Sequence, residues 1–385
     1  MTAALWRDVR IRSAVTQIAI AAAALALGAA LVGNVIENLA RLGINAGFQF
    51  LARPAGFGIV QSLVEYSEAS SYGRALLVAL LNTVVLSAAG ILIATIVGFI
   101  IGLARLSTNL LISNLALAYI EIMRNVPLLL QIFFWYFAVL RPLPPPRNSI
   151  AVGGVAFLSN RGFYLPAPVF ETGAGIVAAV ATAGLGTAIG LVLWARRRQR
   201  ATGRRVRVGW PALGLVLVLP ALAAAATGFP VSWDVPKLAG FNFMGGIVVI
   251  PEFVAMLLSL SIYSAAFIAE IVRAGVLAVP TGQVEAARSL GLKKRQITRF
   301  VVVPQALRVI VPPLTSQYLN LVKNSSLAAA IAYPELMLVF AGTVLNQTGQ
   351  AIEVMAITTG LYLLASLLIA AFMNWYNRAV ALVER

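Results

Sequence analysis

Residues 75–104 read ALLVALLNTVVLSAAGILIATIVGFIIGLA and contain no Asp, Glu, Lys or Arg. A helix needs about 20 apolar residues to cross the hydrocarbon core of a bilayer, so this stretch predicts a membrane-spanning helix. The composition of the whole chain agrees, since 60% of its 385 residues are hydrophobic and 11% are charged. A mean hydropathy of +0.90 is too high for a soluble globular protein. We therefore expect a bilayer to be the main solvent of this chain.

Seven further stretches have the composition of a membrane span. Four of them also lack charged residues: 13–36, 172–195, 208–233 and 354–377. Three are shorter or carry isolated charges: 110–140, 253–269 and 309–331. Isolated charges at such depth cost about 2.5–3.5 kcal/mol each on insertion scales, so these helices should face protein or a water-filled path. The predicted fold is an all-α polytopic membrane protein with about eight transmembrane helices.

The net charge of +16 follows a topological pattern. Seven arginines fall within residues 196–207, and such clusters mark the cytoplasmic loops of membrane proteins. Contact with membrane lipid explains the cluster, and we expect no nucleic acid partner. An even number of spans predicts that both termini are cytoplasmic. A secretory signal peptide is the alternative for residues 13–36, but their apolar run is longer than a signal-peptide core.

Several classes of chemistry are excluded by residue types that the chain lacks. It has no Cys and no His, which removes disulfides, thiolate chemistry, imidazole catalysis and most zinc sites. It also has no G-x-x-x-x-G-K-[ST] phosphate loop. We therefore predict that the chain is not an enzyme, that it binds no cofactor or metal itself, and that any ATP is bound by another chain.

The longest polar stretch between two predicted spans runs from Arg273 to Phe300. Pro280 breaks the preceding helix, and the residues that follow favour a new helix that ends at Gly291. A second helix is predicted to begin near Lys293. The small residues of the first helix, with an apolar residue one turn later, predict a narrow ridge that docks into another protein. The residues of this ridge are Ala286, Ala287 and Leu290.

The same stretch carries a specific resemblance. Glu285-Ala286-Ala287, Gly291 and the segment ending at Pro304 have the spacing of the EAA loop of ATP-binding-cassette (ABC) importer permeases. Flanking residues resemble the polar amino acid branch of that family: Tyr263, Glu270, Arg273, Gly275, Pro280, Gly282, Gln283, Arg124 to Gln131 and Asn324 to Leu327. Asn125 and Val126 depart from the pattern of that branch. The length of the chain is similar to that of the longer permeases of general L-amino-acid importers.

The resemblance implies a five-helix type I importer core, split by an insertion. Its parts are residues 75–140 and 245–385, the latter including the cytoplasmic coupling loop 273–304. Residues 1–74 would add an N-terminal transmembrane helix and a periplasmic segment, and residues 141–244 a periplasmic loop and a two-helix hairpin with an Arg-rich cytoplasmic turn. The implied partners are an ABC ATPase dimer that binds ATP and Mg²⁺, a second and non-identical permease subunit, and a periplasmic amino-acid-binding protein.

Two sets of candidate functional residues follow. The resemblance assigns coupling to the ATPase to Gly282, Glu285, Ala286, Ala287, Gly291 and Pro304. Polar residues within predicted spans are candidates for the substrate path: Glu121, Arg124, Gln131, Glu270, Asn320 and Lys323. Glu121 and Arg124 stand at i and i+3, so a structural ion pair is the alternative for them. Pro312 and Pro313 are predicted to interrupt and kink the seventh span.

The expected function is import of L-amino acids across the bacterial inner membrane by alternating access. An importer of another small polar solute is an alternative, because the permease residues leave little specific signature. A transporter driven by an ion gradient would use the same intramembrane charges, but it would not explain the spacing of the EAA segment. A membrane enzyme is disfavoured by the lack of acid-base groups.

Overall fold

A computed structural model describes residues 9–41, 47–204 and 206–380. The chain forms two compact units, one made of residues up to Trp135 and from Ala255 onward, the other of Tyr136–Val254. The helices are α1 (Val9–Arg41), α2 (Tyr72–Arg105), α3 (Leu110–Asn125), α4 (Leu128–Phe133), α5 (Ala174–Thr202), α6 (Gly209–Leu213), α7 (Leu219–Ala226), α8 (Pro251–Leu277), α9 (Thr281–Ser289), α10 (Lys294–Ile297), α11 (Val303–Asn324), α12 (Leu345–Thr348) and α13 (Ala351–Val380).

Wider π-helical turns and narrower 3₁₀ turns continue several of these helices. The π-helical segments are Phe134–Leu140, Gly214–Val218, Thr298–Val302 and Met337–Val344, and the 3₁₀ segments are Phe48–Ala52, Pro146–Asn148 and Ser325–Ile331. As a result, α6 and α7 form one continuous helix, Gly209–Ala226, and α10 and α11 belong to another, Lys294–Ile331.

The mostly helical membrane fold predicted from the sequence is confirmed. Within the described residues, six helices are long and apolar enough to cross a membrane, and a bent pair formed by α3 and Leu128–Leu140 makes a seventh candidate. In α1 the apolar part is Val15–Leu31, which is shorter than the predicted span 13–36. The predicted span 208–233 is wrong at its end, because the helix stops at Ala226 and Val231–Asp234 is a strand. Gly228, with a φ of +78°, marks the end of this helix.

A sharp break separates α3 from α4. The two helices meet at an angle of 104°, at Pro127, which has no backbone N–H to continue the helical ladder. The buried side chain of Gln131 supplies the missing donors, since its Nε2 lies 3.0 Å from the carbonyl oxygens of both Met123 and Val126. The interruption predicted at Pro312 and Pro313 is not observed, because α11 continues through both residues.

Glycines allow α2, α8 and α11 to pack closely. A Cβ added at Gly98 or Gly102 would come within 2.6 Å of atoms of α8. At Gly90 the nearest atom would be Cδ2 of Leu321 in α11, at 3.3 Å. The backbone carbonyl oxygens of Ala265 and Ala269 are among the atoms that Gly98 and Gly102 approach, so the backbones of α2 and α8 lie close together, as is typical where transmembrane helices associate through small residues. The bundle is therefore tightly packed on the faces that these glycines occupy.

The unit Tyr136–Val254 contains short β-strands that the sequence did not predict. They are β1 (Ile150–Val152), β2 (Ala156–Ser159), β3 (Gly162–Leu165), β4 (Ala167–Phe170), β5 (Val231–Asp234), β6 (Lys237–Ala239), β7 (Asn242–Met244) and β8 (Ile247–Val249). They pair antiparallel in the orders β1-β2-β3-β8, β4-β5 and β6-β7. Strands from before α5 thus pair with strands from after α7, which closes the α5 to α7 hairpin at its base.

Candidate functional site

Residues 281–304, here called the coupling segment, form a short helix, a tight turn and the start of the next long helix. Pro280 precedes α9, and its fixed φ suits the first turn of a helix. Gly291 ends the helix with a φ of +73°, a left-handed conformation that favours glycine. The N–H of Leu292 donates to the carbonyl of Ala287 at 3.2 Å. The stop at Gly291 and the second helix near Lys293 are both confirmed.

The turn holds one side of α9 inward and leaves the other side free. Ala287 is buried, with 4% of its surface exposed, whereas Glu285 and Ala286 are exposed. Leu290 has 81% of its surface exposed. The predicted ridge is therefore divided: Ala286 and Leu290 are available to a partner, while Ala287 stabilises the turn from inside. Gly282 is exposed in the first turn of α9.

The coupling segment is joined to the bundle at both ends. Gly275, in the last turns of α8, approaches α11 so closely that an added Cβ would lie 2.3 Å from Cγ1 of Ile310. Pro304 is half-buried in the first turn of α11, just after the π-helical segment Thr298–Val302. A displacement of α9 relative to the membrane would therefore be transmitted to α8 and α11 together.

At the end of α3, Glu121 and Arg124 point to different neighbours. The carboxylate of Glu121 accepts a hydrogen bond from Asn125 Nδ2 at 3.3 Å. The guanidinium of Arg124 lies over the ring of Phe267, 5.3 Å from its centroid. In the described part of the chain these two side chains form no salt bridge with each other, so the structural ion pair is not supported. Both residues are exposed.

Glu270 instead pairs with Arg273, one turn further along α8. The Arg273 Nη2 lies 2.5 Å from Glu270 Oε1, and both side chains remain about a third exposed, at 31% and 33%. Eight residues before Glu270 in α8, the carbonyl of Ile262 accepts a hydrogen bond from the hydroxyl of Tyr119 in α3 at 2.7 Å. Because α8 continues directly into the coupling segment, this charge pair lies between the bundle and the element predicted to contact the ATPase.

The exposed face of α11 carries a row of polar side chains. Asn320 and Lys323 are both exposed, and Ser316 is exposed one turn before Asn320. Spacings of three and four residues place the three side chains on one face of the helix. Ser316 was not among the residues predicted from the sequence. Its position four residues before Asn320 would have placed it on the same face of the helix. Gln131 is different, because it is buried and its Nε2 is engaged at the helix break.

A buried polar network that the sequence did not reveal surrounds Glu335. Its carboxylate accepts hydrogen bonds from the N–H groups of Met337 and Leu338, each at 2.8 Å, and from the hydroxyl of Tyr362 in α13 at 2.5 Å. The hydroxyl of Thr83 in α2 accepts from the N–H of Leu336 at 3.0 Å. Glu335 therefore caps the π-helical segment Met337–Val344 and ties it to α13, while the bond from Leu336 to Thr83 ties the same region to α2.

The described residues include no group of three or more His, Cys, Asp or Glu that could hold a metal ion. The coupling segment exposes Glu285, Ala286 and Leu290 on its surface. A comparison with known families identifies the chain, because residues 90–382 match the family described as "Binding-protein-dependent transport system inner membrane component". The chain belongs to this family of transport permeases.

Relatives of this permease extend over most of its length. The putative amino-acid ABC transporter permease protein YhdX of Escherichia coli (strain K12) is 56% identical over 355 residues, covering 91% of this chain and 90% of the relative. The general L-amino acid transport system permease protein AapQ of Rhizobium johnstonii is 51% identical, covering 91% and 88%. The glutamate/glutamine/aspartate/asparagine transport system permease protein BztB of Rhodobacter capsulatus is 39% identical, covering 98% and 96%. The family predicted from the EAA segment is thus confirmed.

Proposed function

We propose that this permease is the membrane-spanning subunit of an ATP-driven ABC importer of L-amino acids. The names of the relatives that cover nine-tenths of the chain support the cargo class. The exposed helix-turn of the coupling segment carries the proposal for the mechanism, since it presents Glu285, Ala286 and Leu290 on a short helix that connects α8 and α11, two spans that pack closely at Gly275 and Ile310. ATP and Mg²⁺ belong to a separate ATPase dimer.

Contact with that ATPase is supported by the surface of the segment. Leu290 and Phe300 expose 81% and 62% of their surfaces on a polar element, where burial by a partner would be favourable. Glu285 adds a carboxylate that can pair with a basic side chain of the partner. Closure of the ATPase dimer would move α9, and with it α8 and α11, which opens the substrate path to alternate sides.

The substrate path would lie along the part of the bundle surface where polar side chains of the spans are exposed. A charged Lys323 in contact with lipid would be unfavourable, so we propose that a second permease subunit and the path cover the exposed face of α11. Its polar row, Ser316, Asn320 and Lys323, would contact the amino acid there. Arg124, Glu121 and Glu270 are the corresponding candidates near the coupling side, and Gln131 supports the helix break that shapes the path.

The topology proposed from the arginine pattern places both termini and the coupling segment in the cytoplasm. The strands precede α8 and the coupling segment follows it, and a spanning helix has its ends on opposite faces, so the strands would face the periplasm and a binding protein. The natural absence of cysteine allows a clean test. We expect a membrane-impermeant maleimide to label Asn148→Cys in intact spheroplasts but to label Gln199→Cys only after lysis. The reverse pattern would contradict this topology.

Transport itself is tested by reconstitution with the co-purifying subunits and the binding protein in proteoliposomes. We expect uptake of L-amino acids that requires both ATP and the binding protein. Lys323→Gln should lower uptake while the subunits still assemble, whereas Arg378→Gln, an exposed charge near the end of α13, should leave uptake unchanged. Uptake that continues without ATP would favour the gradient-driven alternative. ATP-dependent uptake of a different small polar solute, without amino acid uptake, would overturn the cargo class alone.

A further inference from the structure

A groove runs along the hairpin formed by α5 and the helix Gly209–Ala226. The two helices touch at Gly184, where an added Cβ would lie 2.4 Å from the carbonyl oxygen of Leu215. Between this contact and the turn that joins the helices there is an open groove of about 480 Å³. On α5 its lining extends from Ala188 to Arg196, and a rise of about 1.5 Å per residue makes this roughly 12 Å long.

The walls and the mouth of the groove differ in chemistry. The walls are aliphatic and include Val192, Leu213 and Val216, whereas Arg196 lies at the mouth. Arg196 is the first of seven arginines within residues 196–207, which include the turn that joins the two helices. No Asp or Glu occurs between Glu171 and Asp234, so the sequence of the hairpin offers no carboxylate to neutralise them.

Two tryptophans indicate the depth of the groove in the membrane. Trp194 exposes 48% of its surface beside the groove, and Trp210 exposes 83% at the start of α6. Tryptophan is enriched at the level of the lipid headgroups. The guanidinium of Arg198 stacks on Trp194, 5.1 Å from the ring centroid, which holds a positive charge at the same level. The mouth would thus lie among the headgroups, and the aliphatic walls among the acyl chains.

We propose that the groove binds an anionic phospholipid, with one acyl chain along the aliphatic walls and the phosphate paired with Arg196 and its neighbours. Guanidinium and phosphate form strong, bidentate hydrogen bonds, and an acyl chain matches walls that carry no polar side chain. A helix of another subunit is the rival occupant. The arginine-rich mouth favours lipid, because a cluster of this charge without acids suits the phosphate layer of the membrane.

The test measures lipid bound to the full-length chain, purified with its accompanying subunits, delipidated and titrated with phosphatidylglycerol or phosphatidylcholine. We expect phosphatidylglycerol to bind more tightly to the wild type. Arg196→Gln should weaken its binding about fivefold, the effect of one basic residue near an anionic surface. Arg378→Gln removes an exposed charge near the end of another span and should have no effect on this binding.

A second pair of variants separates the groove from the charges. Ala212→Phe places a ring in the groove and should abolish the tightly bound lipid, whereas Ala225→Phe, on the exposed surface of α7, should retain it. Equal affinity for the two lipids, or equal effects of Arg196→Gln and Arg378→Gln, would overturn the proposal. A cross-link from Val192→Cys to another protein subunit in the assembled complex would assign the groove to that subunit instead.

Discussion

Gly291 ends α9 in a left-handed conformation, and a movement of α9 reaches α11 only if this turn is rigid. An L-residue in that conformation costs about 1–2 kcal/mol relative to glycine. An added Cβ would have no heavy atom within 4 Å, so the cost at Gly291 is purely conformational. Gly291→Ala should therefore make opening of the turn roughly 5 to 30 times more frequent. Gly291→Asn should have a smaller effect, because asparagine tolerates left-handed backbone better than alanine does.

Gly282 provides the matched control for Gly291. It lies inside α9 without a positive φ, and an added Cβ also has open space. Gly282→Ala should therefore stabilise the helix by about 0.5–1 kcal/mol. Hydrogen exchange of residues 281–292, measured by mass spectrometry on the assembled complex in nanodiscs, distinguishes the two. Exchange should become faster in Gly291→Ala and slower in Gly282→Ala. Equal exchange in the two variants, or exchange in Gly291→Ala as slow as in the wild type, would show that the turn does not depend on glycine.

Three substitutions test the packing of the bundle, and detergent-induced unfolding of the purified permease measures the effect of each. Gly102→Ala should destabilise the permease by about 1–3 kcal/mol, because the added Cβ would lie 2.6 Å from the carbonyl oxygen of Ala269. Gly360→Ala is the control, since its added Cβ has open space, and equal effects of the two variants would contradict the close packing of α2 on α8. Glu335→Ala should lower the stability of the permease by roughly 2–4 kcal/mol, since it removes a helix cap and leaves buried hydrogen-bond donors without an acceptor. Glu335→Gln should lower the stability less, and similar losses in the two variants would argue against the hydrogen-bond network. Ala332→Gly should stabilise the permease by about 0.5–1 kcal/mol, because Ala332 has a φ of 60°, which favours glycine. A loss of stability in this variant would show that the left-handed backbone at Ala332 is not strained.

The sequence predicted the features that depend on local composition. Apolar length identified the spans, because the bilayer imposes that length on any helix that crosses it. The coupling segment was also local: Pro280 and Gly291 bracket α9, and both act through backbone preferences of single residues. The helix boundaries of the coupling segment could therefore be predicted, although the inward position of Ala287 depends on the packing of the folded turn.

The features that were missed depend on contacts between distant residues. Strand β3 pairs with β8 through partners such as Phe163 and Val249, and strands of three or four residues give almost no periodic signal. Glu335 gains its role from Tyr362 and from its burial, neither of which the sequence displays. The close approach of Gly98 and Gly102 to α8 could have been anticipated, since two glycines four residues apart in an apolar helix favour contact with another helix.

Site-specific cross-linking measures whether residues 281–304 contact the ATPase. The chain has no natural cysteine, so Ala286→Cys places a single thiol on the exposed side of α9. Gln199→Cys, at the exposed end of α5 and on the same proposed side of the membrane, is the control. In membranes containing the complete transporter, we predict that a short thiol cross-linker joins Ala286→Cys, and not Gln199→Cys, to an ATPase subunit, with a yield that changes when ATP is bound. A complex in which neither position, or only Gln199→Cys, cross-links to an ATPase would contradict contact between α9 and the ATPase.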